Sequence, residues 1–361
     1  MDRCGLGCAK QINPAGLFRP VNQIEFIQQQ FRHEAGYALN LRNPRSFNEK
    51  LQWLNLFYQM PELTSCCDKI KVKEYVRMKL GQDICLPTLA IYCTAEEFNP
   101  DVLPEPFVLK LNSGSGEVMF CRSRPSLDRA VITRQLRDWL RPGSNHYFHS
   151  FEWGYKDIVP RIRAEPMLAE PATLTDYKFF CFDGEPRCLL AATNRTKKLY
   201  VDFFDLDWSH LPFAALHPNS PIAVPRPEKL AEMTEYARAL AKGFPFVRVD
   251  LYCPEGQIFF GELTFRSGAG MEPFTPREWG EKLGGWLTLP DHALFTPQPG
   301  KPSLIVSREQ LNAFLLLVDS PQTEMVETKA ERMQKSFSWR ITAPLRADRR
   351  LISKLARVKR R

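Results

Sequence analysis

Two acidic residues lie on neighbouring predicted strands in the segment FVRVDLYCPEGQIFFGELTF. Side chains alternate across a strand, which predicts one shared face on each strand: Phe246, Arg248, Asp250 and Tyr252 on the first, and Ile258, Phe260, Glu262 and Thr264 on the second. A turn at 254–257 then brings Asp250 opposite Glu262, within a residue or two. Adjacent carboxylates repel each other unless they are protonated or share a cation. The pair therefore indicates either a Mg²⁺ site that also takes phosphate oxygens or a solvated face whose acids pair with arginines.

A second feature is the stretch PFVLKLNSGSGEVMF, in which a strand-like run carries Lys110 and then breaks into a glycine loop. Gly114 and Gly116 permit positive φ angles, so successive backbone N–H groups can point at one anion. Lys110 shares a strand face with Asn112, and both side chains are expected to point toward the same ligand. The loop lacks Gly-Lys-Ser/Thr and leads into a strand, which excludes a Walker A loop. Taken alone, it fits a plain hairpin turn equally well.

A third feature is a lysine among aromatic residues in DYKFFCFDGEPRCLLAATNR. Asp183-Gly184 between two apolar runs predicts a hairpin. On its first strand Lys178 shares a face with Asp176 and two phenylalanines, and Arg195 ends the return strand. A lysine in such surroundings either meets an anion or extends along its apolar stem to water.

Several elements must position these residues. Ser46 and Glu49 have the spacing of a capping box and open a helix in PRSFNEKLQWLNLFY. Further helices are predicted in CDKIKVKEYVRMKLG, which ends at Gly81, in LDRAVITRQLRDWL, and in PEKLAEMTEYARALAKGF, which ends near Gly243. ICLPTLAIY is predicted to be a strand, and RIRAEPMLAE is extended because Pro166 is excluded from a helix interior.

The charge of the chain is concentrated at one end. From Lys329 to Arg361 there are 12 basic and 2 acidic residues, or +10, whereas the whole chain carries +8 and the preceding residues therefore carry −2. A body without excess positive charge argues against a nucleic-acid-binding domain. The tail is either a basic amphipathic helix suited to an anionic membrane surface or a solvated basic end.

The cysteines and the apolar segments bear on the cellular compartment. The ten cysteines include no Cys-x-x-Cys pair, which argues against structural zinc, and their scatter fits a reducing cytosol. The start MDRCGLGCAK lacks the apolar run of a signal peptide, and no stretch approaches the length of a membrane span. No Ser-His-Asp or Cys-His set stands out, so a side-chain nucleophile is not expected.

The order of these features resembles the ATP-grasp superfamily, in which two lobes hold ATP between antiparallel sheets. More specifically, the blocks NLRNPRSFNEKLQWLNLFY, DKIKVKEYVRMKLG, FVLKLNSGSG, DYKFFCFDGEP, FVRVDLY and FGELTF…GAGMEPFTP resemble the TupA-like ATP-grasp family. The resemblance covers roughly Gly36 to Pro290. It implies an α+β ATP-grasp fold with an N-terminal helical segment at 1–86, a small lobe at 87–165, a large lobe at 166–290, and a C-terminal helix and basic tail at 291–361.

The resemblance also implies how the nucleotide is bound. Lys110 and Lys178 match the two lysines that contact ATP phosphates. Four residues match the loop that closes over those phosphates: Ser113, Gly114, Ser115 and Gly116. Glu165 matches the hinge acid that meets the ribose, with Glu170 as a rival.

The remaining roles concern the metal and the transferred phosphate. Asp250 and Glu262 match the acids that bind Mg²⁺, and Arg195 and Arg248 match a role in stabilising the transferred phosphate, which suits a guanidinium group. Many ATP-grasp enzymes have Glu-x-Asn where this chain has Glu262-Leu-Thr264. A threonine offers only a hydroxyl, which puts a second metal ion in doubt.

The activity implied is that of an ATP-dependent carboxylate–amine ligase working through an acyl phosphate. The family association further implies that it modifies a uronic acid or amino-acid carboxylate, free or glycan-linked, with an amine donor in surface (capsule-type) polysaccharide biosynthesis. The expected location is the cytoplasm, with the tail docking on the inner membrane face or on polysaccharide assembly proteins. The alternatives are a glycosyltransferase, although no Asp-x-Asp motif is present, and a non-catalytic ATP-binding scaffold. The substrates, the oligomeric state and the role of the N-terminal helices are not determined by the sequence.

Overall fold

The computed structural model describes residues 20–194, 198–295 and 303–318. The chain divides after Ser307 into two units. In the first unit the described helices are α1 (Pro20–Ala35), α2 (Phe47–Phe57), α3 (Glu62–Cys67), α4 (Val72–Leu80), α5 (Arg129–Leu140), α6 (Tyr147–Ser150), α7 (Leu230–Ala241) and α8 (Glu278–Trp286). In the second unit the described part is helix α9 (Arg308–Val318). The domain boundaries predicted at 86, 165 and 290 stay predictions.

The first sheet, here called the small sheet, has four antiparallel strands: β1 (Ala90–Tyr92), β2 (Phe107–Leu111), β3 (Val118–Cys121) and β4 (Ile162–Pro166). Their spatial order is β1-β4-β2-β3. One face packs on α5, where Ile132 and Leu136 meet Leu109 in a buried cluster. The strand predicted in ICLPTLAIY is limited to β1, because Pro87 has no N–H to donate to a ladder.

The second sheet, the large sheet, has five antiparallel strands: β5 (Asp176–Phe182), β6 (Glu185–Thr193), β7 (Tyr200–Phe204), β8 (Phe246–Tyr252) and β9 (Phe259–Thr264). Their order is β7-β6-β5-β8-β9. The predicted Asp183-Gly184 turn is confirmed, with φ of 50° and 82°, the conformation that a tight hairpin needs. Strands β10 (His292–Phe295) and β11 (Leu304–Ser307) form a separate antiparallel pair.

The two faces of the large sheet differ in what they carry. One face is mainly apolar, with the buried Asp202 as an exception, and packs on α4 and α7. The other face begins with aromatic residues, among them Phe180, Phe182 and Phe246, which pack against Phe47 of α2. Burial of each such ring stabilises the fold by about 1.5–3 kcal/mol. This packing holds β5 and β8 in register, and the polar residues lie farther along the same face.

Two of the predicted helix ends agree with the structure, whereas the helix predicted in CDKIKVKEYVRMKLG begins only at Val72. Ser46 and Glu49 form a reciprocal capping box at the start of α2, and Gly81 follows α4 with a φ of 67°.

Gly284 of α8 allows a close approach between two helices. A Cβ there would lie 2.1 Å from the Arg45 carbonyl oxygen, so glycine allows α8 to approach the start of α2 closely. Among the described residues, no helix is both long and apolar enough to cross a bilayer.

Candidate active site

The predicted pairing of Asp250 with Glu262 is confirmed, because the two residues stand directly opposite each other on β8 and β9. On the other side of Asp250, Lys178 stands opposite it on β5. Residues that are directly opposite in a sheet point their side chains to the same face. Two acids and a lysine therefore lie side by side on the polar end of the large sheet.

A β-bulge on β9 changes one part of the predicted pattern. Asp250 pairs with Glu262 and Leu251 pairs with Phe260, which leaves Gly261 as the extra residue. The prediction that Phe260 shares a face with Glu262 is therefore wrong, since Phe260 packs with Leu251 in the apolar cluster on the opposite face. A bulge of this kind redirects the side chains on either side of it.

Asp250 is almost fully enclosed, with 1% of its side chain exposed. Arg248 donates to both of its oxygens, from Nε to Oδ1 at 2.7 Å and from Nη2 to Oδ2 at 2.8 Å. Lys178 also pairs with Oδ2 and lies 2.8 Å from Oδ2 of Asp176. Burial raises the pKa of Asp250, and Arg248 and Lys178 act in the opposite direction. Both oxygens receive charge-assisted hydrogen bonds, the strong kind in proteins.

Glu262 is more accessible, with 36% of its side chain exposed. Its Oε1 accepts from the Thr264 hydroxyl at 3.2 Å and from Arg248 Nη2 at 3.4 Å, and its Oε2 lies 3.3 Å from Lys69 Nζ. Burial acts to raise the pKa of Glu262, but the cations of Lys69, Lys178 and Arg248 outweigh it and lower that pKa. Glu262 is therefore a carboxylate at neutral pH and can reach a ligand.

A second charged cluster lies on the small sheet. Glu165 on β4 is 3% exposed and pairs with Lys110 through Oε1 and with Arg163 through Oε2. Lys110 on β2 stands directly opposite Arg163. Burial acts to raise the pKa of Glu165, but Lys110 and Arg163 outweigh it and lower the pKa. The structure thus brings together the predicted phosphate lysine and the predicted hinge acid.

The glycine loop connects β2 to β3. Ser113 and Gly114 are buried, whereas Ser115 and Gly116 are exposed. Gly116 has a φ of 115°, which glycine adopts readily and other residues do not. The Gly114 carbonyl oxygen accepts a hydrogen bond from Lys69 Nζ at 2.8 Å. The exposed half of the loop is thus the part that can meet an anion.

Asn112 does not point toward a ligand, which corrects the prediction made from strand alternation. It is 1% exposed. Its side-chain amide donates to Asp68 Oδ1 and to the Val159 carbonyl oxygen, and its Oδ1 accepts from the Arg161 N–H. The loop begins at Asn112, so the alternation of β2 no longer holds there, and the side chain ties three segments together instead.

Two other predicted residues stand apart from these clusters. Glu170, the rival hinge acid, is 51% exposed and pairs with Arg122 on the surface. The geometry therefore favours Glu165 for that role. Arg195 lies outside the described residues, and its proposed role in stabilising the transferred phosphate stays a prediction.

Sequence reasoning missed Lys69, which contacts both the glycine loop and Glu262. It lies in the turn between α3 and α4, within the block DKIKVKEYVRMKLG. The pattern of that block predicts a helix and gives no role to Lys69. The resemblance of the block to a family motif is the signal that could have pointed to this lysine.

The paired acids of the large sheet can supply part of the coordination of a Mg²⁺ ion. Among the described residues no group of three or more His, Cys, Asp or Glu is arranged for a metal. Asp250, Glu262 and the Thr264 hydroxyl supply hard oxygen atoms on neighbouring strands, which suit Mg²⁺ when substrate phosphate oxygens complete the coordination. The donor set therefore fits a Mg²⁺–nucleotide complex.

Two antiparallel sheets with a lysine each, a glycine loop on one and paired acids on the other define the class of ATP-grasp proteins. The family model for TupA-like ATP-grasp matches residues 49–288, which is more than half of the chain. The chain belongs to the TupA-like ATP-grasp family. No curated protein matches it.

Solved structures share parts of the fold at low identity. D-alanine–D-alanine ligase from Bacillus anthracis complexed with ATP is 16% identical over 56% of this chain and 54% of its own, with a TM-score of 0.34. L-amino acid ligase from Bacillus licheniformis is 14% identical over 71% and 57%, with a TM-score of 0.38. A RimK domain ATP-grasp protein from Sphaerobacter thermophilus is 10% identical over 63% and 67%, with a TM-score of 0.35.

The extent of these matches limits what they imply. The chain spans 54–57% of the length of the first three structures that it matches. All TM-scores quoted are below 0.4, so these structures carry no argument about substrate or mechanism. The family assignment rests on the sequence match and on the site geometry.

Proposed function

We propose that this protein is an ATP-dependent carboxylate–amine ligase that forms an amide through an acyl phosphate. One observation carries the proposal: Lys69 touches the glycine-loop carbonyl of Gly114 and the carboxylate of Glu262. The loop on the small sheet and the acids on the large sheet therefore border a single site. A site with an anion-binding loop on one side and Mg²⁺-binding acids on the other suits a nucleoside triphosphate.

The cations of the site would bind the phosphates. Lys110 and Lys178 now pair with Glu165 and Asp250, and phosphate oxygens offer them an alternative anionic partner. Ser115 and Gly116 are the exposed residues of the loop, and their backbone N–H groups would serve the same oxygens. Glu165, freed from Lys110, can accept a hydrogen bond from a ribose hydroxyl, as the family resemblance implies.

Asp250 and Glu262 would hold Mg²⁺, which neutralises charge on the transferring phosphoryl group when it is bound. Arg248 lies between these acids, with Nη2 2.8 Å from Asp250 and 3.4 Å from Glu262. Its guanidinium is held in a fixed orientation by five contacts to side chains. A fixed cation at this point stabilises charge that develops on the transferred phosphate.

The reaction has two steps. A carboxylate oxygen of the substrate attacks the γ-phosphorus, the bond to the β–γ bridging oxygen breaks, and ADP leaves. The amine nitrogen then attacks the acyl carbon, the bond from that carbon to the phosphate oxygen breaks, and the amine proton passes to the departing phosphate or to water. The protein supplies position and charge rather than a nucleophile.

The substrate proposal follows the family association with surface polysaccharide. The carboxylate would belong to a uronic acid or an amino acid, free or glycan-linked, and an amine donor would be the second substrate. The proposed location is the cytoplasm, with the basic tail at the inner membrane face. The tail lies outside the described residues. Flotation of the full chain and of residues 1–328 with anionic liposomes tests this location, and equal flotation would contradict it.

The experiment that tests the activity measures ADP and phosphate from Mg²⁺–ATP with the full chain. Uronic acids and amino acids, each with and without an amine, form the panel, and glycan polymers serve as further acceptors. We expect ADP only when a carboxylate and an amine are both present. Lys110→Met and Glu262→Gln should lower the rate by about a hundredfold or more. Lys71→Met changes an exposed lysine in the turn that carries Lys69 and should not lower the rate.

Two other results would replace the proposal. ATP binding without ADP formation from any pair indicates a non-catalytic binder. Turnover of nucleotide sugars without ATP consumption indicates a glycosyltransferase.

A further inference from the structure

Lys69 is held firmly where two helices meet the small sheet. Its N–H donates to the Asn112 carbonyl oxygen at 3.2 Å, and its own carbonyl oxygen accepts from Arg163 Nη1 at 2.5 Å. Asp68 beside it accepts from the Asn112 side chain. The backbone at this point is therefore anchored to the start of the glycine loop through Asn112 and to β4 through Arg163.

The side chain of Lys69 spans the site. Its Nζ donates to the Gly114 carbonyl oxygen at 2.8 Å and lies 3.3 Å from Glu262 Oε2. The side chain is 15% exposed, so its ammonium group can reach a ligand. An ammonium has three donors, of which these two contacts use two. The lysine thus joins the glycine loop to the predicted metal-binding acid, and its third donor has no partner within residues 20–194, 198–295 and 303–318.

The ion pairs around Glu262 join three cations to three acids. The cations are Lys69, Lys178 and Arg248, and the acids are Asp176, Asp250 and Glu262. If Glu262 held Mg²⁺, Lys69 would lose its carboxylate partner and would need another anion. A phosphate oxygen of the bound nucleotide would be the available anion, since Mg²⁺ sites of this type are completed by phosphate oxygens.

We propose that Lys69 is a third phosphate-binding lysine and that it couples the position of the glycine loop to occupancy of the Glu262 site. The inference rests on the proposed function, because it takes Mg²⁺–ATP as the ligand. In the free protein Lys69 fixes the loop through Gly114 and masks Glu262. With nucleotide bound it exchanges Glu262 for a phosphate oxygen while its bond to Gly114 keeps the loop over the phosphates.

The test compares Lys69→Met with Lys69→Arg and with Lys71→Met, the exposed lysine two residues away. Hydrogen exchange of residues 112–117 is measured without nucleotide, and ATP affinity is measured by calorimetry with and without Mg²⁺. In Lys69→Met we expect about tenfold faster exchange of the loop amides, because one hydrogen bond that opposes local opening of the loop is lost. ATP affinity with Mg²⁺ should fall about tenfold to a hundredfold, as expected for loss of one charge-assisted hydrogen bond.

A second readout separates phosphate binding from mere support of the fold. Because Lys69 competes for Glu262, Lys69→Met should bind Mg²⁺ alone more tightly than the wild type, and Lys69→Arg should keep most of the ATP affinity. The inference is overturned if Lys69→Met and Lys71→Met show the same loop exchange, the same ATP affinity and the same Mg²⁺ affinity. That result would leave the proposed function unaffected. A wild-type protein that binds no Mg²⁺–ATP would overturn both.

Discussion

Arg248 and Asp250 lie two residues apart on β8 and form a two-point ion pair, with N–O distances of 2.7 and 2.8 Å. Residues at i and i+2 of a strand share a face, which is what makes so local a pair possible. The pair lies at the edge of the aromatic packing, where Phe246 begins the strand. Both oxygens of the buried Asp250 thereby receive a hydrogen bond, and the guanidinium is held beside the neighbouring Glu262.

Replacement of Arg248 tests how much its two contacts with the buried Asp250 contribute to the free energy of unfolding. In Arg248→Met the enclosed Asp250 keeps Lys178 but loses both arginine contacts, and we expect a loss of roughly 3 kcal/mol in the free energy of unfolding. Urea denaturation measures this change in the free energy of unfolding. Activity should fall as well, since the cation beside the transferred phosphate is gone.

Arg122 provides the matched control, because it also makes two contacts to one carboxylate, that of Glu170. That pair is more than half exposed on both sides, and exposed pairs contribute little. Arg122→Met should leave the urea midpoint nearly unchanged. Equal effects of the two substitutions would mean that burial does not govern the strength of the Arg248–Asp250 pair.

The bulge at Gly261 is predicted to be necessary for the position of Glu262. A Cβ at Gly261 would lie 3.0 Å from the Asp250 carbonyl oxygen and 3.0 Å from the Tyr252 ring. Gly261→Ala should destabilise the protein by about 1–3 kcal/mol through overpacking and weaken Mg²⁺-dependent ATP binding. Thermal unfolding and calorimetry measure the two effects.

Gly285 in α8 is the control for that substitution. It is exposed, and a Cβ there meets nothing within 4 Å. Gly285→Ala should stabilise the helix by up to about 1 kcal/mol. A neutral Gly261→Ala would show that β9 can shift without cost and would remove the steric reason for the bulge.

The ion pairs of Glu165 predict how stability depends on pH. Its pKa is lowered in the folded protein, below the usual value of about 4.3. A lowered pKa means that the ionised group stabilises the fold above its unfolded pKa and that this contribution is lost as the pH falls through the folded pKa. Unfolding free energies between pH 7 and pH 3 should therefore fall less steeply in Glu165→Gln than in the wild type. The surface acid Glu170 serves for comparison, and Glu170→Gln should alter the slope much less.

Lys178 is predicted to act on nucleotide binding. In Lys178→Met the affinity for Mg²⁺–ATP should fall about tenfold or more, because a charge-assisted contact to phosphate is lost. Lys242→Met, a change at an exposed lysine, should have no effect. Unchanged ATP affinity in Lys178→Met would assign the lysine to structural support of Asp250 alone.

The sequence by itself determined the features that depend on neighbouring residues. Strand alternation and the turn at 254–257 were enough to bring Asp250 opposite Glu262, since a short turn leaves few registers. The capping box of Ser46 and Glu49 was equally readable, because both groups lie within one helical turn. The blocks of shared residues indicated the family.

The tertiary structure decided which charges meet. Lys69 reaches Gly114, 45 residues away, and Glu262 on a different sheet, and nothing local in the sequence encodes either contact. The bulge at Gly261 depends on how β9 fits against β8, and the side chain of Asn112 is turned inward by bonds to distant segments. Alternation and helical period describe one element at a time, whereas the partner of a charge is set by the packing of several elements against a shared core.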